Sequence, residues 1–224
     1  MKKALVLAVF ACWAAQLTAQ SAKGKFSVKP MMGINVTDFS GSLVGDIYHP
    51  KVRFAAGAEM EYGITDWLGL TLGAVYSQQG ASIDGTITLY TYSGYGSSLS
   101  YQGETNINVE GKADVDYINV PIMASIYIPQ WKGIAVKAGV QVGFRVNDFF
   151  EVKCEHKSLG MEISMGGFSK TVDFGIPIGL SYEQKNFILD ARYYFGLLEN
   201  DGTEDPDNTK NRYLSITLGY RFHL

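Results

Sequence analysis

The chain has 224 residues, a formal net charge of -3 and 18% charged side chains. This balance leaves no basic surplus for binding nucleic acid, and the 46% hydrophobic content excludes a disordered chain. The 25 glycines and the 12 Phe, 14 Tyr and 3 Trp never gather into an apolar run of roughly 18 residues, which excludes a helical membrane protein. An alternating all-β chain can carry this much apolar surface at a mean hydropathy of +0.01.

The N-terminus has the three-part pattern of a secretory signal peptide. Two lysines precede an apolar stretch from Ala4 to Ala15, and small and polar residues follow it. The stretch is too short to span a bilayer, so we expect cleavage after Ala19. Residues 1–19 are therefore a predicted signal peptide, and residues 20–224 form one predicted domain.

Eight segments of the mature chain alternate between apolar and polar residues with a period of two. Each exceeds the roughly 9 to 11 residues of a tilted strand that crosses a bilayer. Short and long connections follow one another in turn, which is typical of an all-β, antiparallel up-and-down transmembrane barrel with short periplasmic turns and long extracellular loops. The predicted strands are 26–37, 52–64, 67–78, 115–128, 133–145, 171–183, 187–198 and 212–223.

The connection between the third and fourth strands contains a second alternation. Residues 86–109 predict a hairpin that prolongs both strands above the membrane. Its tyrosines are suited to contact with an extracellular protein or glycan, because rigid amphipathic rings supply contact area at a small entropic cost. They could equally serve to stabilise the hairpin itself. The candidate partner-binding residues are Tyr90, Tyr92, Tyr95 and Tyr101.

Two prolines, Pro121 and Pro177, fall inside predicted strands. A proline cannot donate a hydrogen bond to the sheet ladder and is normally confined to strand edges or bulges. We therefore predict local bulges at both positions.

The two faces of the strands differ in chemistry. One is aliphatic and aromatic, whereas the other is rich in glycine and in ions such as Lys137 and Arg192. Either charge facing lipid near mid-strand would cost roughly 2 to 4 kcal/mol. Eight apolar faces in water would form a far larger patch than a soluble monomer exposes. We therefore predict that the polar face lines the lumen and that outer-membrane lipids cover the apolar face.

The interior of an eight-stranded barrel is just wide enough for side chains. The inward charges nearly balance, which predicts a salt-bridged plug, with a proton or ion relay as the alternative. The predicted lumen charge network consists of Glu59, Lys137, Asp190, Arg192 and Arg221. The full inward set is Lys29, Arg53, Lys137, Arg145, Arg192 and Arg221 with Glu59, Glu61, Asp173, Glu183 and Asp190.

Catalytic patterns are not recognisable in the sequence. His49, His156 and His223 have no Ser or Asp at a suitable spacing, and no Cys/His spacing suits zinc. We therefore predict a protein that is not an enzyme and has no cofactor or metal site, with a lipid-modifying enzyme as the weaker alternative. Cys154, the one cysteine outside the leader, is predicted to be an unpaired loop thiol. The acidic loop 199–208 is expected to be solvated, with calcium binding as the alternative.

Several segments resemble the PorT-like outer-membrane β-barrel family. The resemblance rests on residues 68–80, 117–122, 173–180 and 191–197 and covers essentially the whole mature chain. It implies an eight-stranded outer-membrane barrel. Because the founding member is linked to a secretion pathway, it also implies an accessory role in secretion. The closing residues 218–224 are similar to the C-terminal signal read by the barrel-assembly machinery, although they end in Leu instead of the more usual Phe or Trp.

The predicted function is that of an integral outer-membrane barrel with a plugged polar lumen, which acts at the cell surface of a Gram-negative envelope as an anchor and interaction protein through its extracellular loops. The alternative is an accessory component of protein secretion or envelope assembly. The expected partners are outer-membrane lipids, the barrel-assembly machinery during insertion, and an extracellular protein or glycan. No nucleic acid is expected.

Overall fold

The computed structural model describes residues 23–40, 48–93, 100–156, 159–163, 171–198 and 210–224. The predicted signal peptide, residues 1–19, lies outside this part of the chain. The strands are β1 (Phe26–Ser40), β2 (Tyr48–Gly63), β3 (Leu68–Ser93), β4 (Ser100–Tyr127), β5 (Ile134–His156), β6 (Leu159–Ile163), β7 (Val172–Gln184), β8 (Phe187–Gly196), β9 (Lys210–Tyr220) and β10 (Phe222–His223). In the residues described, no helix has the length and apolar character that a membrane crossing requires.

The sheet closes on itself. Its strands follow one another in the order β1-β2-β3-β4-β5-β7-β8-β9, all antiparallel, and β9 pairs back with β1. β10 continues β9 beyond Arg221 and pairs with the start of β1, so that β9 and β10 act as one strand of the wall. β6 pairs with β5 outside this circuit. The structure is a closed eight-stranded antiparallel barrel, and the predicted fold class is confirmed.

One end of the barrel carries tight connections. β7 and β8 are joined by Lys185 and Asn186, whose φ angles of 48° and 69° are those of a type I′ hairpin turn. Residues 64–67 and 128–133 make the other two short connections at this end. We call this the turn end of the barrel. The opposite end, from which β3 and β4 extend as a two-stranded ribbon, is called the ribbon end.

Three strands extend past the ribbon end. β3 and β4 stay paired up to Ser93 and Ser100, so the predicted hairpin over residues 86–109 is confirmed. β5 was expected to end at residue 145, but it runs to His156, pairs with β4 and carries β6. That prediction was wrong, because the extended part of β4 offers backbone groups with which residues 147–155 pair. We call the paired residues Ser82–Ser93 and Ser100–Lys112 the ribbon.

The predicted bulges at Pro121 and Pro177 are wrong. Pairing stops for two residues beside Pro121 on the β3 side and beside Pro177 on the β5 side, and it resumes in the same register. Each proline occupies a position whose N–H would have completed a ladder pair, so that one bond is lost without the insertion of an extra residue. The register shifts occur elsewhere, between Pro50 and Ala55, between Thr91 and Tyr92, and between Asp116 and Tyr117.

The outer face of the barrel is apolar. Aliphatic side chains cover its middle and remain about half exposed, as Leu72 (52%) and Leu218 (53%) show. Aromatic side chains lie on either side of this belt, and at the turn end they form ring pairs such as Phe26 with Tyr62 and Phe187 with Tyr220. A belt of this kind matches hydrocarbon in the middle and the two membrane interfaces at its edges. The exposed aromatics beside the belt are Phe26, Tyr62, Trp67, Trp131, Tyr182, Phe187, Tyr220 and Phe222 at the turn end and Phe54, Tyr76, Phe144 and Phe195 toward the ribbon end. Three more are Phe149 on the extension of β5 and Tyr90 and Tyr101 on the ribbon.

Candidate functional site

The middle of the lumen is filled by five charged side chains, which we call the central cluster: Lys29, Glu59, Lys137, Asp190 and Arg192. The Arg192 guanidinium contacts both carboxylates, with Nη2 2.8 Å from Glu59 Oε2 and Nε 2.5 Å from Asp190 Oδ1. Lys29 Nζ lies 2.7 Å from Glu59 Oε2, and Lys137 Nζ lies 2.6 Å from Asp190 Oδ2. Lys137 is 1% exposed and Arg192 is 8% exposed. Each cation therefore has a carboxylate partner inside the barrel, which is the condition for holding charges away from water.

Inward glycines make room for these long side chains. A Cβ at Gly73 would lie 2.7 Å from Glu59 Cγ, and a Cβ at Gly179 would lie 2.9 Å from Arg192 Cγ and 2.5 Å from the Ala191 carbonyl oxygen. Contacts this short leave no space for a larger residue. The glycine content of the polar face therefore serves the packing of its ions.

A second group of ions, the turn-end cluster, consists of Glu61, Glu183 and Arg221. Arg221 Nη1 donates to Glu61 Oε1 at 3.0 Å, and Arg221 Nε donates to Glu183 Oε2 at 3.0 Å. The Tyr127 hydroxyl accepts from Arg221 Nη2 at 2.9 Å and donates to Glu61 Oε1 at 2.5 Å. Thr71 also donates to Glu61, from Oγ1 to Oε2 at 3.3 Å. This cluster closes the lumen near the end where the tight turns lie.

The two clusters balance each other in charge. The central cluster holds three cations and two carboxylates, and the turn-end cluster holds one cation and two carboxylates. The eight side chains thus carry four formal charges of each sign, so this part of the lumen is neutral as a whole. Equal numbers of cations and carboxylates allow every buried charge to have a partner. A fully paired network favours a static plug, because buried charges are stabilising only when each is paired.

Toward the ribbon end the lumen filling changes from ions to tyrosines and amides. The Tyr194 hydroxyl donates to Asp173 Oδ2 at 2.9 Å, and Tyr194 stacks on Tyr213 with ring centroids 4.8 Å apart. The Tyr213 hydroxyl in turn accepts from Asn119 Nδ2 at 3.1 Å and from Gln141 Nε2 at 2.7 Å. These rings and amides extend the filling of the lumen above the central cluster.

A cavity of about 20 Å³ remains between the central cluster and this tyrosine layer, with Arg192, Tyr194 and Tyr213 among its lining residues. That volume holds about one water molecule. In the described part of the lumen, layers of hydrogen-bonded side chains lie on both sides of this cavity, which favours a plug over a pore.

The predicted network residues occupy two places. Glu59, Lys137, Asp190 and Arg192 meet in the central cluster, whereas Arg221 lies in the turn-end cluster. Among the other predicted inward charges, Arg53 pairs with Asp114 near the ribbon end, and Arg145 Nη1 lies 3.7 Å from Asp148 Oδ2.

The ribbon projects from the opposite end with polar and aromatic side chains. Thr86 Oγ1 donates to Asn108 Oδ1 at 3.1 Å, and Thr88 Oγ1 donates to Asn106 Oδ1 at 2.8 Å across the two strands. Tyr90 and Tyr101 lie on opposite strands with ring centroids 6.3 Å apart, and both are more than half exposed. Exposed tyrosines on a paired β-ribbon form a surface that a partner can reach.

The other predicted tyrosines are less completely described. Tyr92 lies on β3 by its backbone, its side chain is outside the described part, and Tyr95 lies outside it altogether. The acidic loop 199–208 also lies wholly outside the described residues. Cys154 was expected in a loop, but it lies on β5 by its backbone and pairs with Met161 of β6. That placement corrects the loop assignment, because the strand continues past residue 145.

The candidate histidines lie at separate places on the molecule. His49 is exposed, with its ring Nε2 3.2 Å from the Asp84 carbonyl oxygen, and His223 is exposed at the turn end. His156 lies on β5 by its backbone, and its side chain is outside the described part. Among the side chains that are described, no three His, Cys, Asp or Glu residues come together in a way that could hold a metal ion.

Several residues that seal the lumen were not singled out from the sequence. Tyr127, Tyr194 and Tyr213 are buried and bonded through their hydroxyls, and Asn211 Nδ2 donates to Asp173 Oδ2 at 3.0 Å. Alternation places all four on the polar face of their strands. Large side chains with hydroxyl or amide groups, placed on the polar face by alternation, were the available signal.

Comparison with known proteins gives the following matches. The family model described as "Outer membrane protein beta-barrel domain" matches residues 15–202. A crystal structure of Ail, the attachment invasion locus protein of Yersinia pestis, is 15% identical at a TM-score of 0.44 and covers 89% of this chain and 99% of that one. Neisserial surface protein A is 14% identical at a TM-score of 0.44, with coverages of 88% and 95%. Outer Membrane Protein W of E. coli is 16% identical at a TM-score of 0.40, with coverages of 90% and 99%. No curated protein sequence matches the chain.

Proposed function

We propose, because the chain belongs to the outer membrane protein beta-barrel domain family, that its barrel anchors an interaction surface in the outer membrane and that this surface is the ribbon. The observation that carries the proposal is the contrast between a lumen filled with bonded side chains and a long exposed sheet at one end. A barrel sealed in this way is unsuited to transport. Its remaining accessible features are the lipid-facing belt and the structure above the membrane.

The ribbon has the properties of a recognition surface. Its strands keep one register from Ser82 opposite Lys112 to Thr91 opposite Gly103, so a partner would meet an ordered surface and would pay little entropy for ordering it. Tyr90 and Tyr101 add exposed aromatic area, and such rings are favoured in binding surfaces. We infer an extracellular protein or glycan as the partner, and outer-membrane lipids as the contacts of the barrel itself.

Deletion of the ribbon tests this function. Replacing residues 86–109 by a short Gly-Ser turn should abolish binding of the purified, nanodisc-embedded protein to glycan arrays and to surface-exposed proteins. The shift of the barrel band on unheated gels should persist, because the barrel strands are untouched. Equal binding by the deletion variant would contradict the proposal. The control is a shorter deletion, of residues 200–208, which spares the ribbon.

A second function is proposed from the resemblance of residues 117–122 and 173–180 to PorT-like barrels, which favours an accessory role in protein secretion or envelope assembly. That role predicts that cells lacking the protein retain exported cargo in the periplasm. Cells that express the ribbon deletion should then secrete normally if the barrel alone is required.

We also propose that the protein is not an enzyme and holds no metal or cofactor. His49 lies opposite Ser82 at the base of the ribbon. Its ring lies against a backbone carbonyl, with no described Ser or Asp side chain bonded to it. Substitution of His49 or His156 by alanine should leave the masses of outer-membrane lipids unchanged. Altered lipid masses in either variant would point to lipid chemistry.

A further inference from the structure

The upper part of β3 has an open backbone edge. Pairing between β2 and β3 reaches Tyr48 and Ile83, whereas β3 continues to Ser93. Among the described residues, Asp84 to Ser93 therefore pair with β4 on one side and have no strand on the other. At about 3.3 Å per residue, this edge is about 30 Å long.

The register identifies which backbone groups face the open side. Tyr127 N donates to the Trp67 carbonyl oxygen, so odd-numbered residues of β3 direct their N–H and C=O groups toward β4. The register stays constant up to Thr91 opposite Gly103. The even-numbered residues Thr86, Thr88 and Tyr90 therefore present their N–H and C=O groups to the open edge. Asp84 faces the same side, and its carbonyl oxygen lies 3.2 Å from the His49 ring Nε2.

In the described part of the chain, this edge lacks the usual protection against pairing. Natural proteins block exposed edges with lysine, proline, bulges or a covering segment. Residues 84–93 contain no Lys, Arg or Pro, and Thr and Tyr alternate with Ile and Leu along residues 86–90. The register shift in this part of β3 comes at Thr91 and Tyr92, near the tip. The edge is thus long and regular, and from Thr86 to Tyr90 it is composed of residues that favour strands or are apolar.

The charge of the ribbon indicates the chemistry of a partner. The ribbon carries three acidic residues, Asp84, Glu104 and Glu110, against one cation, Lys112 at its base, so its formal charge is negative. All three acids are exposed. A cationic segment would be attracted to this surface, whereas a second copy of the same acidic ribbon would be repelled.

We propose that the open edge of β3, residues 84–93, receives an extended segment of another protein that carries Lys or Arg and adds to the sheet as a further strand. Main-chain hydrogen bonds to Thr86, Thr88 and Tyr90 supply the affinity, and the acids of the ribbon select a basic segment. The inference rests on the proposed interaction function and specifies how the partner binds.

Amide exchange in the full-length protein in nanodiscs tests the docking mode. The probe is a ten-residue synthetic peptide in which Lys and Val alternate, and the control is the same peptide N-methylated at every second residue. In the free protein, the amides of Thr86, Thr88 and Tyr90 should exchange fast, and those of Ile87 and Leu89 slowly. The unmodified peptide should slow the even-numbered amides by about tenfold or more. Even-numbered amides already protected in the free protein, or peptide binding without added protection, would overturn the proposal.

A pair of variants at one position separates the backbone from the side chain. Thr88→Pro removes a donor on the open edge, and Thr88→Val keeps that donor while losing the hydroxyl. We expect Thr88→Pro to weaken binding of the Lys-Val peptide by about tenfold or more and Thr88→Val to leave it within about twofold. Slow exchange at Ile87 and Leu89 in both variants shows that the ribbon is intact. Equal peptide binding by both variants would overturn the edge proposal.

The two proposals fail in different ways. If deletion of residues 86–109 abolishes partner binding but Thr88→Pro does not weaken it, the ribbon is the interaction surface and the edge is not its binding mode. If the deletion has no effect on partner binding, the proposed interaction function fails as well.

Discussion

One strand, β3, passes through both the barrel and the ribbon and shows how these two parts of the molecule differ. From Leu68 to Ala81 it lies in the barrel wall between β2 and β4, and its inward residues Thr71 and Ser77 are buried among lumen partners. From Asp84 onward it pairs with β4 alone among the described residues, and its side chains bond across the ribbon at the surface.

The difference lies in the surroundings, since the alternation of residues is similar in both parts. In the barrel wall, side chains face either lipid or the packed lumen, where water has little access to replace a lost contact. In the ribbon, water can replace a lost contact. The effect of a substitution on stability should therefore change sharply where β3 leaves the barrel.

The largest effect is expected where the lumen is most tightly bonded. Arg192→Met removes the cation that contacts both Glu59 and Asp190. It leaves two buried carboxylates with fewer partners, which should lower the free energy of unfolding by about 3 to 5 kcal/mol. Urea unfolding of the protein in lipid vesicles measures this change.

The matched control for Arg192→Met is Glu104→Met, which removes an exposed charge from the ribbon. Its free energy of unfolding should stay within about 0.5 kcal/mol of the wild-type value. Similar decreases in the free energy of unfolding of the two variants would contradict the proposed difference between lumen and ribbon.

A smaller effect is expected from the addition of one carbon to the lumen wall. A Cβ at Gly139 would lie 2.0 Å from the Ile122 carbonyl oxygen and 2.6 Å from Met123 Cα, so β4 or β5 must shift. Gly139→Ala should cost about 1 to 3 kcal/mol in unfolding free energy. Val140→Ile adds one carbon to the next residue, which faces outward, and lipid can accommodate it. If Val140→Ile costs as much as Gly139→Ala, the lumen contact is not the cause.

The fold could be predicted from the sequence to the extent that lipid and lumen make opposite demands on alternate residues. These demands located all eight wall strands, because a charge such as Lys137 is tolerated on one face and not on the other. Past the ribbon end of the barrel these demands vanish, and the continuation of β5 to His156 and the presence of β6 were missed. The effect of Pro121 was also mistaken, because the β3–β4 ladder tolerates one lost hydrogen bond without an extra residue in the strand.

The candidate site was predictable in its composition and not in its pairing. Alternation identified Glu59 and Arg192 as inward residues, but their contact joins β2 to β8 across the lumen. Which inward residues meet there depends on the stagger of the strands, and a single sequence does not specify it. The hydroxyl bonds of Tyr127 and Tyr213 depend on the same stagger. The open edge of β3 depends on where pairing with β2 stops, and no residue pattern marks that point.

The smallest and sharpest test compares two threonines of β3. Thr71 is buried, and its hydroxyl lies 3.3 Å from Glu61 Oε2 and 3.2 Å from Ser125 Oγ, whereas the exposed Thr86 bonds to Asn108. Threonine and valine have nearly the same shape, so Thr→Val removes the hydroxyl with little change in packing. Thr71→Val should lower the free energy of unfolding by about 1 to 2 kcal/mol, because a buried carboxylate loses a donor that water cannot replace.

Thr86→Val should change the free energy of unfolding by less than about 0.5 kcal/mol, because water replaces the lost bond and valine favours a strand as strongly as threonine does. Both values come from the same urea titration in vesicles. A Thr86→Val loss equal to that of Thr71→Val would mean that the ribbon is as closely coupled to the barrel as the lumen is. The ribbon could not then be treated as a separate surface that the barrel carries.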